Sequence, residues 1–225
     1  MERGFSTLRA RPPRQSIIKH VVSATELKAQ IHLLALLPLF VNFRIMATVL
    51  APPEIDLIET DRLAFNIAVW NKLSKDPELA KLDFQIETDA YGQILMSPIP
   101  APSHGRYQNK IGTLLDQHLP LGTVLTECPI STTAGVRSAD VAWCSPEIWK
   151  KAESLTLFPE APEICVEVLS PSNTKAEIEE KKRLYFEAGA KEVWLCSKSG
   201  QVTFFKDQSE TVSSSKIAPD FPTQI

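Results

Sequence analysis

Glycine is scarce in this chain, 8 in 225 residues, and neither a GxGxxG nor a GxxxxGK[ST] pattern occurs. The usual phosphate cradles depend on such backbone, so nucleotide-dependent chemistry is not expected. Cysteine is equally sparse: Cys128, Cys144, Cys165 and Cys196 lie far apart, with no CxxC and no Cys/His spacing. Neither a zinc site nor a disulfide framework is indicated, and a reducing cytoplasm fits this usage. Long apolar runs are missing too. Residues 31–41 are apolar but broken by His32 and Pro38, and they fall short of the roughly 20 residues that span a bilayer. No membrane partner is expected.

What is present suffices for a medium-sized domain. A hydrophobic content of 44% supports a full core, and 23% charged residues is ordinary for a globular chain. Charge is unevenly spread. Residues 1–45 carry seven Lys/Arg against two Asp/Glu, leaving 17 against 25 in the remainder. The body is therefore acidic, which argues against broad electrostatic binding to nucleic acid. A metal-dependent site, however, needs only a local cluster of carboxylates. Residues 1–45 show no sustained periodicity, so Met46 is expected to open the domain, 46–225, with 1–45 an upstream extension or loose tail.

From Ile55 onward the pattern becomes regular. Residues 61–73 have helical spacing, and the polar stretch after them accommodates a short further turn. A hairpin is expected over residues 84–87 and 93–96, with its turn at Ala90-Tyr91-Gly92. The proline-rich SPIPAPS, residues 97–103, reads as loop, and Ser103 reads as the cap of a helix running to about Leu119. Strands are expected over 123–126, 137–144, 163–169, 192–196 and 202–205. The helix over 175–188 has a capping box, Thr174 with Glu177, and a stop at Gly189. The tail after Asp207 is polar and reads as loose.

Three charges break these patterns. Asp140 and Glu167 lie inside strand patterns, and a period of two puts Asp140 with Ala142 and Cys144, and Glu167 with Glu163, Cys165 and Leu169. If the two strands are neighbours, the carboxylates converge, and hard oxygen ligands suit Mg²⁺ or Mn²⁺. The alternative for each is an ion pair or a capped strand end. The third charge is Lys181. At about 100° per residue it points into the apolar stripe of Ile178, Leu184, Tyr185 and Ala188, whereas Lys182 lies about a quarter turn away. A lysine there either snorkels to solvent or serves a site. His104 reads as a surface residue at the start of its helix, with substrate contact the alternative. Ser170 reads as a turn residue, since no nucleophile elbow accompanies it.

Read together, the hairpin IETDAYGQILMSP with Glu87, the segment PSHGRYQNKIGTLL, the strand RSADVAWCS, the EVLSPS turn, the run from Lys181 through Tyr185 to Ala190, and EVWL resemble a known family. It is the Uma-two family of restriction-endonuclease-like proteins, common in cyanobacteria and part of the PD-(D/E)XK nuclease superfamily. The resemblance runs from about Ala64 to Phe205. It implies an α/β (α+β) restriction-endonuclease-like three-layer fold, a central mixed sheet flanked by helices. It also implies a Mg²⁺- or Mn²⁺-dependent endonuclease hydrolysing DNA phosphodiester bonds. Asp140 and Glu167 would bind the metal, Glu87 would assist through metal or water, and Lys181 would activate the water or stabilise the pentavalent state. Two departures bear on this. Ala139 replaces the usual proline before the aspartate, and Leu169 stands where the superfamily has its lysine, a role the resemblance moves to Lys181. The residues after the tryptophan strand, Cys196-Ser197-Lys198, depart as well, beyond the expected site. Three other readings stay open: a catalytically inert nuclease-fold module that binds nucleic acid or a protein partner, hydrolysis of a different phosphodiester, and an assembly role in which exposed sheet edges make a homodimer.

Overall fold

The structure, a computed structural model, describes residues 61–171 and 173–225, together with the backbone of Met46–Ala47. The expected extension over residues 1–45 lies outside the described residues.

Two sheets organise the chain. The smaller has three antiparallel strands, β1 (Met46–Ala47), β3 (Ile94–Pro98) and β2 (Phe84–Thr88), in that spatial order. The larger has six, β4 (Thr123–Thr132), β5 (Gly135–Cys144), β6 (Ile164–Val168), β7 (Glu192–Cys196), β8 (Val202–Phe205) and β9 (Thr211–Val212), each beside the next. Only β6 and β7 run parallel. Parallel neighbours need a crossover, supplied here by the helix Lys175–Glu187. The sheet is therefore mixed, as expected. Among the described residues five helical segments complete the order: α1 (Arg62–Leu73), a 3₁₀ turn at Leu79–Lys81, α2 (Pro102–His118), α3 (Pro146–Ala152) and α4 (Lys175–Glu187).

Helices pack on both faces. On one, Tyr107, Ile111 and Leu115 of α2 meet Val141, Trp143, Val166 and Trp194. Full burial of an Ile or Leu such as these contributes about 1.5–3 kcal/mol. On the other face, Ala152 of α3 and Tyr185 of α4 cover Ala142, Cys144 and Cys165. All four cysteines are free and buried. The capping box predicted for α4 is present, Thr174 accepting from the Glu177 N–H while the Glu177 side chain accepts from the Thr174 N–H, and Gly189 ends the helix at φ +110°.

Several expectations need correcting. Helix α2 starts at Pro102 with Ala101 at its cap and no capping side chain, so Ser103 lies inside the first turn. Proline with its fixed φ and missing N–H suits that first helical position. Strand β3 continues through Pro98, the last position of its pairing with β2, where the missing donor costs little. Strand β4 runs six residues beyond Thr126, and α3 was not anticipated. The tail is packed: Phe221 lies 4.7 Å from the Trp194 ring, and Glu192 accepts from the Lys216 and Ile217 N–H groups.

The small sheet docks through β5. Gly135 at φ +103° passes so close to the Thr88 and Asp89 carbonyls that a side chain would collide with them. The Val136 N–H donates to Thr88 Oγ1 at 2.9 Å, and Arg137 donates to the Thr88 carbonyl. That docking sets Glu87 above the large sheet.

Candidate active site

Pairing between β5 and β6 covers only Val141–Trp143 with Ile164–Val166. The next register position sets Asp140 opposite Glu167, where the ladder stops. Asp140 Oδ2 accepts from the Val168 N–H at 2.6 Å, satisfying a backbone donor that the ended ladder would leave open. The adjacency inferred from alternation is therefore present. Around each carboxylate, though, the partners differ.

Glu167, 4% exposed, joins the α4 side. Tyr185 donates to its Oε1 at 2.7 Å, and Lys181 Nζ stands 3.2 Å from Oε2. The same ammonium reaches Glu87 Oε1 at 3.0 Å and donates to the Ser138 carbonyl at 3.0 Å. Ser138 returns its N–H to Glu87 Oε1 at 3.0 Å. Arg137, also buried, lies 3.9 Å from Glu87 and 3.6 Å from Glu180. The lysine that helical spacing singled out thus stands between two of the acids. Burial pushes Glu167 up to about 8, with Lys181 opposing and Asp140 reinforcing the rise. Burial alone would discharge Lys181, but Glu167 and Glu87 outweigh it and hold the ammonium charged.

Asp140 faces α2 instead. His104 Nε2 lies 3.1 Å from its Oδ1, and Gln108 Nε2 reaches its carbonyl at 3.3 Å. His104 is only 9% exposed, which overturns its reading as a surface residue. The two stand at ion-pair distance, a contact that is ionic when the imidazole is protonated. Burial works against charge on this imidazole, yet Asp140 beside it raises the pKa.

Glu127 was missed entirely. The β4–β5 register places it opposite Asp140, between the pairs Thr126↔Val141 and Cys128↔Ala139. It is the one non-glycine residue with positive φ among those described, at 51°. A left-handed residue costs about 1–2 kcal/mol, and such strain gathers at functional sites. The turned side chain accepts from Gln108 Nε2 at 2.6 Å and from Gln85 Nε2 at 2.7 Å. Burial raises its pKa, with Asp140 adding to the rise. Glu127, Asp140 and Glu167 thus form a row of three acids across three adjacent strands. The available signal was the hairpin: extending β4 to Thr132 would have placed Glu127 opposite Asp140.

Lys182 also departs from the helical wheel. It is 3% exposed, with its ammonium 4.1 Å above the Phe205 ring and 2.9 Å from Glu179. It is buried, but turned away from the acids.

The oxygen donors of Asp140, Glu167 and Glu87 have the chemistry of a hard-cation site. Among the described residues, however, no three His, Cys, Asp or Glu side chains already stand in metal-holding geometry. Lys181 lies between two of the acids, and Asp140 is turned to His104. No described helix is long and apolar enough to cross a membrane.

Residues 76–223 match the Uma2 family, described as "Putative restriction endonuclease". Among solved structures, the chain is similar to "a putative nuclease belonging to DUF820" from Anabaena variabilis, with a TM-score of 0.55 and 17% identity. That match covers 69% of this chain and 93% of the other, and at such identity it speaks for the fold alone. No curated protein matches.

Proposed function

The chain belongs to the Uma2 family, and from that premise and the acid cluster we propose that it is a metal-dependent endonuclease hydrolysing DNA phosphodiester bonds. The observation that carries this reading is Lys181, whose ammonium touches both Glu87 and Glu167 beside Asp140. A snorkelling lysine would leave the acids and reach for water. Asp140 and Glu167 would hold Mg²⁺ or Mn²⁺, with Glu87 assisting. A cation there would polarise the phosphate and lower the pKa of a bound water.

The chain's own groups have narrower tasks. Lys181, whose charged form the neighbouring acids favour, would stabilise the charge that develops on the phosphate or activate the water. Asp140 is oriented by the Val168 N–H, and Glu87 by the Ser138 N–H. Both anchors are backbone groups on the large sheet, which suits positioning for in-line attack.

The second reading is a nuclease-fold module that binds nucleic acid or a protein partner without cleaving. It is favoured by Lys181 standing between two acids where no ready metal-holding group exists among the described residues. One assay separates the two. Plasmid and single-stranded DNA are incubated with the protein and Mg²⁺ or Mn²⁺, beside Asp140→Asn. Cleavage lost in the variant is expected. DNA binding with no cleavage in either cation would give the module reading its support.

A further inference from the structure

A cavity of about 630 Å³ opens between α1, β2 and the start of α2. That volume lies within the roughly 300–1,000 Å³ typical of small-molecule sites. Its sides are apolar, Trp70, Leu79 and Phe84 among them. Its polar end is tied together by Glu127, which takes Gln108 on one carboxylate oxygen and Gln85 on the other. No Lys or Arg appears among the described lining residues, where Asp76 and Glu127 are the charged ones. A phosphate or carboxylate guest is therefore mismatched. A flat apolar ring with N–H donors on its edge is the matching chemistry.

The cavity also shares a wall with the acid cluster. Ser138 lines it, and the same residue binds Glu87 through its N–H and Lys181 through its carbonyl. A phosphodiester at the cluster would therefore lie beside this space. The geometry points to a pocket for an unpaired nucleobase, guanine in first place, recognised by Glu127 at its polar, solvent-facing end. Guanine presents two adjacent donors, N1–H and the N2 amine, that replace both glutamine amides on the two oxygens. Adenine, cytosine and thymine each lack that pair. The assignment rests on the nuclease reading only for why a nucleotide arrives there. The left-handed backbone of Glu127 then has a use, because it turns the carboxylate out of the strand toward the glutamines.

Gly105 supplies the test. It lines the cavity, and a Cβ added there meets nothing within 4 Å. Gly105→Leu therefore has open space at its Cβ on the cavity wall, and leucine suits a helix better than glycine. Binding of guanosine, adenosine, cytidine and thymidine to the full chain is followed by tryptophan fluorescence, with Trp70 the internal reporter. Guanosine should saturate at least tenfold tighter than thymidine, and Gly105→Leu should weaken it tenfold or more. Glu127→Gln, nearly isosteric, is the independent second variant and should erase the preference for guanosine. No saturation by guanosine, equal affinity for all four nucleosides, or unchanged binding in Gly105→Leu would overturn the assignment. Guanosine binding without any DNA cleavage would sink the nuclease reading and leave this pocket standing. DNA cleavage without guanosine binding would do the reverse.

Discussion

The two flanks of the acid row solve the same electrostatic problem differently. On the α4 side a permanently charged lysine is shared between Glu87 and Glu167, with Tyr185 and the Ser138 backbone fixing the geometry. On the α2 side Asp140 and Glu127 face each other with a titratable histidine and two glutamine amides, on a strand bent into left-handed backbone. One flank is compensated by a lysine; the other is compensated by a histidine and neutral amide donors. In the proposed nuclease the first flank would carry the chemistry, and the second would meet the ligand.

The sharpest way to break that contrast is to remove the fixed charge. Lys181→Met keeps the stem and should lower the cleavage rate by about 10²–10³, the scale of one lost charge-stabilising donor. Lys182→Met, one residue on, should leave cleavage alone and cost about 1–2 kcal/mol through its lost contact with Phe205, read by urea denaturation. The opposite pattern would mean that the wrong lysine has been assigned.

Metal titration sharpens the comparison next. Isothermal titration with Mn²⁺ should show binding weakened on the order of tenfold or more by Asp140→Asn and by Glu167→Gln, since each removes a formal charge from a hard-ion site. Affinity should also rise with pH up to about 8, because a cation must displace the proton that burial keeps on Glu167. The stability sign is the reverse. Glu167 is raised from 4.5 to about 8 on folding, so its contribution is complete below pH 4.5 and lost as pH rises to about 8. Flat metal affinity across this window would show that Glu167 is already ionised.

The smallest effect tests the strained flank. Glu127→Gly relieves a left-handed residue and should stabilise the fold by about 1 kcal/mol, seen as a higher melting temperature. A lower melting temperature would mean that the Gln85 and Gln108 bonds outweigh the strain.

The two flanks were also unequally legible in the sequence. Period two exposed Asp140 and Glu167, and period 3.6 exposed Lys181, because each is a charge where the local repeat demands an apolar residue. Glu127 carried no such mark: Pro129 and the polar STTAG run concealed the strand around it, and left-handed backbone at a glutamate has no signature in residue type. His104 hid for a related reason, since the prolines before α2 made its first turn resemble a solvent loop. Lys182 was misplaced because Phe205, distant in sequence, supplies the ring that receives it. Phe221 vanished inside a polar tail whose anchor, Trp194, is equally remote. Local repeats report on an element's own face; they are silent about partners brought in by topology.

The bend at Glu127 also shapes the open edge of the six-stranded sheet. Strand β4 ends the six-stranded order, and an open edge of ten residues would invite lateral growth by strand addition. Beyond the left-handed residue the edge is already taken: Phe158 donates its N–H to the Pro129 carbonyl at 2.7 Å and accepts from the Ser131 N–H at 2.9 Å. Four residues, Thr123 to Thr126, are left on the near side of the bend, and the opposite edge is the two-residue β9. A second copy seeking to continue the six-stranded sheet would find only a short template at either end.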